Sequence, residues 1–194
     1  MDAIISIFSA FGLSTAAGLN AYLPLLTVGL LARYTSLVHL SGPYELLSNP
    51  WVLLVIAVLA LLDFIGDKIP VVDHTLHAVG MIIAPVAGAI LFMATNSDVG
   101  GISPLLAAIS GVLIAGTTQG ARATARPLAT VSTAGIANPV ISFFEDVTAL
   151  VLSVLAILVP VLAFLLVLLF AFLMVLLFRR MLRRRRGGVP PSSS

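Results

Sequence analysis

Four ionisable side chains sit close together in a chain that carries few of them. Arg122 and Arg126 stand four apart in "QGARATARP", and Glu145 and Asp146 stand side by side in "SFFEDVT". Residues four apart share a face of a helix. A planar guanidinium meets a carboxylate through short, charge-assisted hydrogen bonds. In an apolar setting an uncompensated charge costs several kcal/mol, so such groups turn inward and pair. At least one Arg–carboxylate pair is therefore expected. It would serve as a lock between helices, or as a gate or anion-attracting mouth.

A second group lies in "LLDFIGDKIPVVDHTLHAVG", with Asp63, Asp67, Lys68, Asp73, His74 and His77. Carboxylates and imidazoles brought together across a hairpin suit a divalent transition metal. Their order matches no specific metal signature. The plainer reading is a loop whose polar residues cap two helices and pair with Lys68. Titration of His74 or His77 near neutrality is chemically open, and nothing in the sequence demands it. Two further polar stretches interrupt apolar windows. "STAAGLNAYLP" offers Thr15, Asn20 and Tyr22, and "GTTQGARATARP" offers Thr117 and Gln119 beside the arginines. No nucleophile elbow, phosphate-cradling loop or zinc-protease spacing is present, so the chain is not expected to be an enzyme or to need a cofactor.

The elements that must position these groups follow from composition. Of 194 residues, 60% are hydrophobic and 9% charged, against roughly 25% charged in soluble domains. Mean hydropathy is +1.16. Such a chain cannot cover its own surface with polar groups and belongs in a bilayer. There is no cysteine, which excludes disulfides and thiolate metal sites. The first apolar segment lacks a basic n-region and a small-x-small cleavage site, so it reads as a retained span. Arg179, Arg180 and Arg183 to Arg186 supply six of the ten basic residues. A cluster of this kind marks the cytoplasmic flank of a last span and meets anionic lipid head groups, and nucleic acid is not expected as a partner. "GGVPPSSS" after it has a disordered composition.

Apolar windows fall at 3–33, 51–66, 75–95, 103–126, 139–159 and 160–180. Each is long enough to cross a core about 30 Å thick. Six crossings put both termini on one side, and the arginines place that side in the cytoplasm of an inner membrane. The run of 32 uncharged residues between Asp146 and Arg179 is then two helices turning back near Pro160.

An internal repeat supports that division. Asn49-Pro50 leads to Ile69-Pro70, and Asn138-Pro139 leads to Val159-Pro160, at nearly equal spacing. "TAAGLNAYLPLLT" and "TTQGARATARPLAT" precede them in the same order. The expected fold is all-α and polytopic: a three-span repeat over 1–98, an inverted three-span repeat over 101–182, and a basic, then disordered, tail over 183–194. Glycine, hydroxylic residues and proline sit inside the first span of both halves, and each is expected to be interrupted there. Broken helices at matching positions are a sequence pointer to a transport site; small residues that merely let helices pack are the alternative.

"GLNAYLPLL", "DKIPVVDHTLHAVG" and "APVAGAIL" resemble a family of bacterial integral membrane proteins known as domain of unknown function 4126. The resemblance covers roughly Ile4 to Leu176 and implies a small polytopic membrane protein, with no established activity or site residue. The leading expectation is a small transporter or channel. Thr15, Asn20, Tyr22, Thr117, Gln119, Arg122 and Arg126 would line its pathway, Glu145 and Asp146 would form a gate or ion pair, and an anionic solute is favoured. A non-transporting scaffold and a lipid-phosphate-handling protein are the alternatives. With about 100 residues per half, a second copy is a candidate partner. A hydrated central cavity would favour transport, a dry core a scaffold, and a lateral groove a lipid.

Overall fold

A computed structural model describes residues 2–66, 70–97, 102–133 and 138–186. The described residues form seven α-helices and one 3-10 turn: α1 (Asp2–Leu19), α2 (Tyr22–Tyr34), the 3-10 turn (Gly42–Ser48), α3 (Pro50–Gly66), α4 (Pro70–Asn96), α5 (Pro104–Thr133), α6 (Asn138–Leu158) and α7 (Pro160–Arg186). Proline opens α3, α4, α5 and α7. Its missing N–H is harmless at a position whose amide has no partner within the helix, and its fixed φ suits the first turn.

Among the described residues, three stretches are long and apolar enough to cross a membrane: Val79–Asn96, Pro104–Arg126 and Asn138–Leu158. The 3-10 turn and α3, bent by 63°, make a fourth if taken as one span. Ala3–Leu19 and Pro160–Leu173 are shorter apolar helices.

The expected turn at Pro160 is present. The helix stops at Leu158, and Val159 accepts from the Ala163 amide at 3.1 Å to start the next one. Glu145 and Leu173 line one cavity, whereas a helix straight through Pro160 would hold them about 42 Å apart. Hence α7 folds back on α6.

The first window is also broken, within the stretch expected to be interrupted, and the chain reverses there. α1 ends at Leu19 and α2 starts at Tyr22, so the break falls at Asn20–Ala21 and Pro24 lies in the first turn of α2. Directions follow from named contacts. Ser14 donates to the Gly88 carbonyl at 3.0 Å, while Asn20 and Tyr22 share a cavity with Gly80, so α1 and α4 are antiparallel. Ser41 bonds Ser97 at the far end of α4, about 25 Å along the axis from Gly80. If α2 continued in the direction of α1, Tyr34 would lie about 18 Å beyond Asn20 on the opposite side. The chain from Tyr34 to Ser41 reaches at most about 25 Å and could not return. So α2 reverses beside α3 and α6.

The reversal sits inside the bundle, toward one end of the candidate spans, since its neighbours Gly80 and Arg122 lie near the start of Val79–Asn96 and the end of Pro104–Arg126. α1 rises about 27 Å from Asn20, and α5 descends about 16 Å past Arg122, which meets the end of α1. α1 and α2 thus form a hairpin that enters the bundle and returns. α1 and α5 run in the same direction, since Ala10 clusters with Ala107, and Gly18 lies against Ala115 and Thr118. A six-crossing path, with 3–33 as one span, would make them antiparallel.

The matching break expected in the second half is absent from the described backbone. α5 is one helix through Gly116, Gly120 and Pro127, as α4 is through Pro85. One internal proline removes one hydrogen bond at about 3 kcal/mol, which packing along a long helix offsets. A full break exposes several backbone groups and needs a side chain to satisfy them. Asn20 does this in the first half.

The interior is small and the exterior large. Ala10, Ala16, Ala17, Ala115, Ala149, Ala156 and Ala163 are fully or almost fully buried, while Ile82, Leu105, Leu113 and Phe172 face outward. This is how helices associate where lipid leaves no hydrophobic difference to exploit: small residues let backbones approach. Gly88 and Gly111 are among the tightest cases. A Cβ on Gly111 would collide with the Gly88 carbonyl, and one on Gly88 with Ala115. Phe164 stacks on Phe8 at 4.4 Å and meets Phe11 edge-on at 5.5 Å, which fixes the top of α7 against α1. Gly111→Val should destabilise the α4–α5 pair by about 1–3 kcal/mol, read as a lowered Tm in detergent. Gly120→Ala, where a Cβ meets nothing, should leave Tm unchanged or raised; equal losses at the two sites would show that close approach is not what Gly111 provides.

Candidate functional site

The turn between α1 and α2 is held by one side chain. Asn20 Oδ1 accepts from the backbone amides of Tyr22 (2.9 Å) and Leu23 (3.2 Å), capping α2. Its own amide donates to the Ala16 carbonyl at 2.9 Å. Its Nδ2 donates to Asp63 Oδ2 (3.1 Å) on α3 and to Asp146 Oδ1 (2.9 Å) on α6. An amide has one acceptor oxygen and two N–H donors, so Asn20 joins three helices at once. A hydroxyl or a carboxylate could not supply that set.

The other loose end is the C-terminus of α1. Arg122 Nη1 donates to the Leu19 carbonyl at 2.6 Å, and Arg122 Nε donates to Glu145 Oε2 at 2.7 Å. Arg126 Nη2 reaches the same oxygen at 2.6 Å. Both salt bridges are nearly dry, with the arginines 8% and 5% exposed and Glu145 16%. Two guanidiniums on one carboxylate oxygen concentrate positive charge beside a helix C-terminus, where the dipole favours cations.

Two cavities flank this cluster. The first, of about 20 Å³, is bounded by Asn20, Tyr22, Asp63, Gly80, Gln119 and Arg122, and is roughly large enough for a single water. The second is a lateral groove of about 590 Å³ between α1, α5, α6 and α7, with Arg122 and Glu145 toward one end. Arg122 lines both.

Most residues singled out in the sequence are here. Asn20, Tyr22, Asp63, Gln119, Arg122, Arg126, Glu145 and Asp146 gather around the hairpin tip. Asp63 is a partner of Asn20 in this cluster, a role its sequence context did not suggest. Thr15 lines the groove, its hydroxyl donating to Phe11 at 2.8 Å. Thr117 is exposed, bonds its own helix and lies outside this cluster; Thr118, one position on and a hundred degrees round, faces α1 and the groove. Gln119, Arg122 and Arg126 at i, i+3 and i+7 already trace the inward face, and that spacing excludes Thr117. Asp67 and Lys68 lie outside the described residues, as do the side chains of Asp73, His74 and His77. Among the described residues no group of three or more His, Asp or Glu is placed to hold a metal.

The sequence profile of the DUF4126 family, a domain of unknown function, matches residues 7–180. The chain belongs to this family. Every residue of the DUF4126 cluster described above falls inside the matched span. No curated protein and no solved structure matches the chain.

Removing Glu145 leaves two guanidiniums without their shared carboxylate, which in a buried setting costs about 3–5 kcal/mol. Arg126→Ala and Glu145→Ala should therefore be coupled by about 1–3 kcal/mol in a double-mutant cycle scored by stability in detergent. Additive losses would mean that the pair carries no interaction energy.

Proposed function

We propose that this DUF4126 chain is a small membrane transport protein, with its solute site at the tip of the α1–α2 hairpin. The observation that carries the reading is a helix reversal inside the bundle, braced by charged side chains from α3, α5 and α6. Irregular backbone at membrane depth is tolerated only against protein or a water-filled path, and paired charges there mark substrate or ion routes. Arg122 favours a solute bearing an anionic group. Glu145 acts as a resident anion on both arginines. A solute anion that takes over Arg122 loosens that carboxylate and, through the Leu19 carbonyl, the end of α1. Asn20, Tyr22 and Gln119 provide the polar wall.

The inverted repeat belongs to the same proposal in modified form. α3 and α6 start at matching Asn-Pro pairs, and α4 and α7 at Pro70 and Pro160. We place α2–α4 against α5–α7, with α1 as an added arm. This modifies the six-crossing path. α1 starts at the end of the bundle from which α7 departs, so the N-terminus and the arginine tail lie at opposite ends. With the arginines in the cytoplasm of the inner membrane, the start of α1 is outside.

Purified protein in liposomes should pass a small anion or an anionic organic solute, and Asn20→Ala should lower that flux by at least about tenfold, since misplacement of a site by an ångström costs this much or more. Flux equal to that of empty liposomes across ions of both signs would leave the scaffold reading in place. For topology, reporters fused to the two termini should report opposite compartments; the same compartment for both would restore the even crossing count.

A further inference from the structure

The groove beside the cluster has a chemistry of its own. α6 and α7 meet at their turn, where Ala156 and Ala163 both lie against Gly12, and then diverge. The space between them is floored by Thr15 and Leu19 of α1 and by Thr118 and Ala121 of α5. Its volume of about 590 Å³ is within the roughly 300–1,000 Å³ typical of small-molecule sites. From Ile141 to Leu155 it follows α6 for about 21 Å, about two thirds of the thickness of a hydrocarbon core of about 30 Å.

The groove also has almost nothing to offer a polar solute. Three of its wall residues are threonines, and each hydroxyl donates to its own helix: Thr15 to Phe11 (2.8 Å), Thr118 to Ile114 (2.9 Å) and Thr148 to Phe144 (2.6 Å). Apolar side chains such as Leu152, Leu155, Leu166, Leu169, Phe170 and Leu173 supply most of the remaining surface. Polar chemistry appears toward one end only, where Arg122 and Glu145 form the wall about one turn short of Ala125 and Ile141.

From this shape and charge placement we infer that the groove holds the hydrocarbon chain of a single-chain anionic amphiphile, with its carboxylate or phosphate head against Arg122. The length and dryness of the walls select the chain, and Arg122, the one cation in the described lining, takes the anionic head as it displaces Glu145. The inference deepens the transport reading: the anionic group that reaches the hairpin tip carries a tail, and the tail travels in the groove between α6 and α7.

The test is photolabelling of the full-length protein in nanodiscs with a diazirine-bearing long-chain fatty acid, mapped by peptide mass spectrometry. Adducts should concentrate on Leu152, Leu155, Leu166 and Phe170 over Leu165, Leu168 and Phe172, which point away from the groove. Leu166→Trp, which fills the groove, should cut labelling by about tenfold (about 1.4 kcal/mol) at unchanged Tm. Even labelling round α7 would show annular lipid only and overturn the inference. The fatty alcohol of the same chain should label less, and Arg122→Gln should remove that difference; if R122Q does not fold, competition of unlabelled acid and alcohol against the probe in the unmodified protein reads the same preference. Equal affinity for acid and alcohol overturns the assignment of the head. Groove labelling without any flux would sink the transport reading and keep the groove, and flux without groove labelling would do the reverse.

Discussion

The structure depends on satisfying the backbone of a helix that stops inside the bundle. Where α1 ends at Leu19 and α2 begins at Tyr22, the last carbonyls and first amides lose their helical partners, and an unsatisfied group in an apolar interior costs about 1–3 kcal/mol. Asn20 takes the amides of Tyr22 and Leu23, and Arg122 takes the Leu19 carbonyl. Each of these side chains then needs counter-groups of its own. Asn20 draws in Asp63 and Asp146, and Arg122 draws in Glu145, which Arg126 shares. The charged cluster is in this sense a consequence of the break.

That dependence constrains the helices around it. α3, α5 and α6 must bring their polar residues to one depth, and the close approach of α4 to α5 at Gly88 and Gly111 fixes the position of the arginines. The small-residue interior permits such approach and the large aliphatic exterior faces lipid. The same logic explains where packing is loose. α7 is tied to α1 through Phe164 and Ala163 near its start, carries no polar group that reaches the cluster among its described side chains, and stands away from α6 to leave the groove.

A braced hairpin tip is suited to a two-state element. Its ties are short, charge-assisted bonds that a competing anion can exchange one for one, whereas an apolar contact has no such competitor. Arg122 is the common member: it satisfies the end of α1, binds Glu145 and lines both cavities. Any ligand that engages it acts on the backbone at the hairpin tip and on the groove together.

The sequence alone determined the helical class, the apolar windows, the helix starts at Asn-Pro and Pro, and the turn at Pro160, because these are set by local composition and by the missing amide of proline. It also brought Arg122 and Arg126 toward Glu145 and Asp146, since a short connection joins their helices and buried charges must pair. Tertiary structure decided the rest. Proline position alone did not distinguish the break at Asn20 from the unbroken α5 carrying Pro127, because the outcome turns on whether a capping side chain and its distant partners are at hand. Asp63 joined the cluster, Asp146 accepts from Asn20 and both arginines bond Glu145, through contacts across 43, 126, 23 and 19 residues. The reversal of α2, which changes the path through the membrane, followed from packing against α3 and α6. A hydrophobic stretch specifies that a helix lies in lipid, and its direction is set by the neighbours it packs against.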